Sequence, residues 1–226
     1  MKIRAALSVA VLAAAVIAVS SPANASEDPR PDADTTGVQE EVEYIPVEPL
    51  DVTLVIDGAP TDIAVMPDFD PTAPAVVFDS KGNPMDVETI ELVQADGEST
   101  SVPTADTSSK AARAGCNWYT WVAPGTGTWY TSVNGCSFIG FTATAQVGYQ
   151  WTVDLNSNGA ACIKGRGYQY LSWPGGGGYS EFYGGLGCGS GGSHGGGALP
   201  WGNVASTKKI KMQSYSQPSG AAGMFQ

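Results

Sequence analysis

Histidine, a frequent metal ligand and general base, occurs once in this chain, as His194. The four cysteines, Cys116, Cys136, Cys162 and Cys188, include no C-x-x-C pair. That spacing, with one histidine available, argues against a zinc site, and no metal or cofactor is expected. No apolar run reaches the roughly twenty residues that a membrane helix needs, so no membrane span is expected. The glycine tracts are not followed by Gly-Lys-Ser/Thr, which excludes a phosphate loop. Sustained helical periodicity is missing throughout.

Charge is scarce where chemistry would need it. Beyond Ala114 the only carboxylates are Asp154 and Glu181, so a two-carboxylate hydrolase would have to use that pair. His194 lies in Gly-Ser-His-Gly, with no positioned partner implied by its neighbours. A non-catalytic protein is the expectation. Lys208, Lys209 and Lys211 form too small a basic cluster for a nucleic-acid surface and read as protection of an edge strand. Asp154-Leu-Asn-Ser-Asn-Gly159 opens like a calcium loop, but the twelfth position is Gly165, between Lys164 and Arg166. A plain Asn/Gly turn is expected there.

What is present begins with an export signal. Lys2 and Arg4 precede an apolar run from Ala5 to Val19, followed by Ala23-Asn24-Ala25. Charge, short apolar core and a small-x-small site mark residues 1–25 as a signal peptide cut after Ala25, and the protein as secreted. In an oxidising compartment four cysteines form two disulfides, for which three pairings exist. Neighbouring cysteines would staple successive hairpins, which favours Cys116–Cys136 and Cys162–Cys188.

The mature chain divides sharply by composition. From Ser26 to Arg113 there are twenty acidic and four basic residues, a net −16; from Ala114 to Gln226 the balance is +3. Twenty-five of 29 glycines and 18 of 21 aromatics lie in the second part. Such a shift marks a boundary. Residues 26–49 are rich in Pro, Asp and Glu and read as disordered. Residues 50–103 repeat a strand, an Asp/Gly turn and a strand, giving short acidic hairpins that suit a pro-region. Residues 104–115 are small and polar, a linker in which Arg113 is a candidate processing site.

Residues 116–215 alternate aromatic and small polar residues, as in Tyr149-Gln-Trp-Thr-Val153, between Asn/Gly turns. The expected fold class is all-β: a small disulfide-stapled antiparallel sandwich or barrel at the C-terminus, preceded by an acidic, partly disordered segment with short β-hairpins. The glycine tracts read as surface loops, and residues 216–226 as a flexible tail. Adjacent aromatics on a strand point to opposite faces, so one of each pair should lie outward. Trp118, Tyr119, Trp129, Tyr130, Trp173 and Tyr179 are therefore candidate binding residues for an extracellular protein or a cell-surface glycan. An exported toxin or inhibitor held inactive by its acidic part, and a secreted hydrolase, are the alternative readings. The opposite charges also imply contact between the acidic part and the β-domain.

With four cysteines paired, the oxidised protein should be lighter than the reduced form by four hydrogens. Intact-mass measurement with and without reductant checks this, and a free thiol in the folded secreted protein would contradict it.

Overall fold

Alternating apolar and polar residues dominate both parts of the chain, and both form strands. The computed structural model describes residues 42–105, 117–174 and 176–226. Ala25, Arg113 and Cys116 lie outside the described residues, as do the signal segment and most of the linker. The described residues contain no helix, and none therefore long and apolar enough to cross a membrane.

The acidic part supplies β1 (Ile45–Val47), β2 (Val52–Ile56), β3 (Ala59–Pro60), β4 (Ala64–Val65), β5 (Ala75–Phe78), β6 (Pro84–Met85), β7 (Ile90–Gln94) and β8 (Ser99–Val102). The aromatic part begins with β9 (Tyr119–Ala123), β10 (Tyr130–Thr131), β11 (Ser137–Gly140), β12 (Gln146–Val153) and β13 (Ala161–Trp173). It ends with β14 (Gly176–Gly189), β15 (His194–Pro200), β16 (Val204–Thr207), β17 (Ile210–Ser214) and β18 (Ala221–Phe225).

These strands form four sheets, in the orders β1-β14-β13-β17-β10, β4-β16-β11-β5-β6, β15-β12-β18-β9 and β3-β2-β7-β8. Pairings within the aromatic part are antiparallel, as expected. The acidic part joins it through three more. β5 runs parallel to β11, β4 runs parallel to β16, and β1 lies antiparallel on the edge of β14. Residues 42–105 and 117–226 therefore fold as parts of one compact unit, across the boundary that composition marks.

The mixed sheet shows why. Strands buried on both faces read as continuous apolar or small runs, and β11 and β16 are buried at every position. Along β11, Phe138 enters one core while Ile139 enters the other; along β16, Val204 and Ala205 divide the same way. One core holds Trp121, Tyr149, Trp151, Tyr168, Trp201 and Phe225, joined by Met66 of the acidic part. The other holds Leu54, Ile56, Val65, Val77 and Ile90, joined by Ile139 and Ala205. Neither core belongs to one part alone.

Three expectations are corrected. Residues 45–47, within the stretch read as disordered, form β1. Residues 221–225, read as a flexible tail, form β18 between β12 and β9, with Phe225 fully buried. Much of the glycine lies in β14 and β15 rather than in loops. The reason is steric: a Cβ at Gly195 would stand 2.6 Å from the Trp151 ring, and one at Gly167 would stand 2.6 Å from the Phe182 ring. Bare backbone lets large rings lie flat on a neighbouring strand. Cys162 and Cys188, directly opposed across β13 and β14, are disulfide-bonded with Cα atoms 4.0 Å apart. Cys136 is disulfide-bonded as well, and its expected partner Cys116 lies outside the described residues.

A buried polar network ties the parts together. The Arg166 guanidinium, on β13, is almost wholly buried and forms an ion pair of 2.5 Å with Asp68 from the acidic part. It also approaches Glu181 at 3.4 Å and donates to Ser206 Oγ at 3.0 Å and to the Thr207 carbonyl. Asp68 accepts from Ser206 Oγ at 2.7 Å and pairs with Lys209 at 3.0 Å. Burial alone would raise the Asp68 carboxyl, but the Arg166 charge and hydrogen bonds from Ser206, Arg166 and Lys209 hold it below the ordinary 3.8.

Asp68→Ala should cost about 3–5 kcal/mol, because it leaves Arg166 buried without its nearest counterion. Since the folded value lies below the unfolded one, the carboxylate's contribution is complete above the unfolded value and is lost as pH falls through the folded value. Urea midpoints measured across the acid range should therefore fall less steeply in Asp68→Asn than in the native protein. Equal acid slopes would contradict this.

Candidate functional site

The aromatics divide into a buried and an exposed set. Trp121, Trp151 and Trp201 are core residues, and Trp151 and Trp201 donate to the carbonyls of Leu186 (3.0 Å) and Val204 (2.9 Å). Trp118 and Trp173 lie outward, 41 % and 47 % exposed. Trp129 is half-buried.

The six expected binding residues do not form one surface. Trp118 precedes β9 and walls a shallow depression of about 570 Å³ with Trp151, Gln150, His194 and bare Gly196. Tyr119 is half-buried and leans on Phe225, with ring centroids 5.6 Å apart. Trp129 lies beneath the Lys164 ammonium at 4.5 Å. It shares a cavity of about 340 Å³ with Tyr183, Lys211, Glu43 and Ile45. Tyr130, on β10, has its hydroxyl 2.9 Å from Thr126 Oγ1, and hydrogen bonds from Thr126 and Thr128 pull its pKa below the ordinary value. Trp173 and Tyr179 both lie toward the end of the β13–β14 hairpin but on opposite faces: the Tyr170 ring, opposite Tyr179, packs over Gly177, whereas the Trp173 ring packs over Gly178.

At that end Tyr170, 56 % exposed, stands directly across the ladder from Tyr179. Their rings meet edge to face at 5.3 Å. Cross-strand aromatic pairs of this kind rigidify a hairpin by roughly 0.5–1.5 kcal/mol beyond burial. The Tyr179 hydroxyl donates to Asn203 Oδ1 at 2.8 Å, and burial outweighs that bond, raising the hydroxyl's pKa. Gly177, opposite Ser172, leaves room for the Tyr170 ring, since a Cβ there would stand 2.6 Å from its hydroxyl oxygen. Beside the rings opens a cleft of about 410 Å³, lined by Gln169, Tyr170, Tyr179, Pro200, Trp201 and Asn203.

Aromatic faces beside side-chain amides suit a ligand with both apolar C–H faces and hydroxyl groups. Tyr170, Gln169 and Asn203 escaped the sequence-based choice of site. The register of the hairpin was the available signal: a turn at Pro174 with Trp173 opposite Gly176 also sets Tyr170 opposite Tyr179.

The two carboxylates of the aromatic part are held in structural roles. Asp154 Oδ1 accepts from Asn156 N at 2.9 Å, forming an Asx turn after β12 where an Asn/Gly turn was expected. Glu181 faces Arg166 in the buried network. Among the described residues no three His, Cys, Asp or Glu side chains are grouped to hold a metal ion. The chain matches no protein-family model, no curated protein and no solved structure.

Trp201→Ala should destabilise the protein by about 3–5 kcal/mol, whereas Trp173→Ala should change stability little. Denaturant midpoints of the two variants check the division. Similar losses would place Trp173 in the core.

Proposed function

We propose that this is a secreted, non-catalytic binding protein whose hairpin-tip aromatics recognise a glycan. The observation that carries the reading is the exposed Tyr170 ring, edge to face with half-buried Tyr179, beside a cleft with two side-chain amides. Sugar rings present flat C–H faces that stack on such aromatics, while Gln169 and Asn203 can donate to or accept from hydroxyls. The stapled β13–β14 hairpin holds these rings without needing the ligand to order them, which lowers the entropic cost of binding. The Cys162–Cys188 disulfide supports an oxidising, extracellular setting.

A second reading, an exported effector restrained by its acidic part, is favoured by a different observation. Glu43 and Ile45 wall the cavity formed by Trp129, Lys164, Tyr183 and Lys211, so acidic chain lies against cationic and aromatic groups. Against easy removal of that part stand the shared cores and the Asp68–Arg166 pair.

Binding of the intact protein to a glycan array and to isolated cell walls tests the first reading. Tyr170→Ala should weaken binding at least about tenfold, with only a small drop in melting temperature, if its ring contributes stacking of about 1.4 kcal/mol or more, whereas Trp173→Ala, on the opposite face of the hairpin, should leave binding unchanged. Binding that survives Tyr170→Ala would sink the assignment. Growth inhibition by the protein only after limited proteolysis would favour the second reading.

A further inference from the structure

Lys208 lies in the short link between β16 and β17, pinned by its own N–H to the Cys136 carbonyl (3.0 Å) and by Gly135 N–H to its carbonyl (2.8 Å). The residue is only 4 % exposed. Its ammonium sits over two aromatic faces, 4.4 Å from the Phe138 centroid and 4.9 Å from that of Tyr149. Both rings and Lys208 line a cavity of about 320 Å³, together with Phe78, Gln150, the Lys81–Pro84 turn and Gln226, whose backbone is tied to Gln150 by hydrogen bonds of 2.9 and 3.0 Å. Lys81 and Asn83 are exposed, so the cavity opens at that turn. Asp79 holds the turn in shape, accepting from the N–H groups of Lys81 and Asn83 at 2.8 Å each.

Among the described residues no Asp or Glu side chain lines this cavity. The Tyr149 hydroxyl donates to the Arg166 carbonyl at 2.7 Å, and burial pushes its pKa up, so it stays a neutral phenol. Lys81, at the rim, is a second cation. Two ring faces stabilise a desolvated ammonium. Burial costs the ammonium more than the rings return, since desolvation is the cause that prevails at Lys208. The amine is accordingly driven down to about 7 by burial. A buried amine with aromatic neighbours and an open cavity in front of it is poorly explained as a structural cation.

We propose that Lys208 is a nucleophilic amine that captures a small aldehyde or ketone as a Schiff base in this cavity. The carbonyl compound's flat apolar body lies against Phe78, Phe138 and Tyr149; Phe78 and Phe138 are already stacked at 4.7 Å with planes 3° apart. The neutral amine's lone pair attacks the carbonyl carbon, forming a C–N bond while the π pair moves to oxygen. Proton transfer from nitrogen to oxygen gives the carbinolamine. Loss of that oxygen as water breaks the C–O bond and leaves the imine, so amine and carbonyl become imine and water with no change of oxidation state. This site is separate from the hairpin tip and does not depend on the glycan reading.

The test exposes the intact folded protein to benzaldehyde and sodium cyanoborohydride, which reduces any imine to a stable secondary amine, followed by peptide mass mapping. At pH 7 labelling at Lys208 should outpace that at exposed Lys81 by about tenfold or more, because burial favours the neutral, nucleophilic form of the Lys208 amine. The Lys208 rate should reach half its maximum near pH 7. Lys208→Arg should abolish the fast adduct. Should that variant fail to fold, site-by-site mapping on the native chain still decides. Lys208 labelled no faster than Lys81, or only after denaturation, would overturn the proposal, as would a fast adduct persisting in a folded Lys208→Arg.

Discussion

The pairing of Asp68 with Arg166 is the contact on which the arrangement of the whole unit depends. Arg166 sits in the middle of the longest ladder, β13 with β14, and its guanidinium is turned into the interior. An unpaired charge in such a place costs several kcal/mol, more than the roughly 1.5–3 kcal/mol gained by burying one large apolar side chain. The counterion must therefore arrive from somewhere. The aromatic part has only Asp154 and Glu181 to offer, and Asp154 is committed to a turn. Asp68 comes from the acidic part, just beyond β4, where the parallel pairing of β4 with β16 delivers it to Ser206, Thr207 and Lys209.

That constraint explains why two segments of opposite composition make one unit. The mixed sheet needs apolar cover on both faces, and the acidic part supplies the second core around Leu54, Val77 and Ile90. The aromatic part solves a different packing problem. Its large rings need flat ground, and glycine-rich β14 and β15 provide it; Trp151 rests against Gly195 where any side chain would collide. Glycine in these strands is thus a packing residue, weakening the strand locally while admitting rings that contribute more.

Function follows from what this packing leaves over. Once Trp121, Trp151 and Trp201 are buried, the rings remaining outside mark three separate places, and at the hairpin tip Tyr170 and Tyr179 stand beside the Gln169 and Asn203 amides around one cleft. The Lys208 cavity arises on the other side of the same economy of space: the link between β16 and β17 must pass beneath Phe138 and Tyr149, and it carries its lysine inward. The recognition proposed at the tip and the reactivity proposed at Lys208 rest on separate features of one crowded aromatic interior.

The β-character of the chain was legible residue by residue, because alternation, Asp/Gly turns and cross-hairpin cysteines are local signals. Strands such as β2, β5, β7 and β12, the Asx turn at Asp154 and the pairing of Cys162 with Cys188 all follow from neighbours in sequence. What the residues alone left open is long-range. Glycine tracts read as loops until the rings that press on them are known, and β18 reads as a tail until β9 and β12 flank it. The composition boundary near residue 114 is real as a change of charge, yet it is no boundary in packing. Parallel pairing between segments tens of residues apart leaves no periodic trace in either one. Whether Tyr170 faces a ligand cleft, and whether Lys208 faces water or two aromatic rings, is likewise set by strands distant in sequence. Burial is a property of the assembled sheets, and only the tertiary structure decides it.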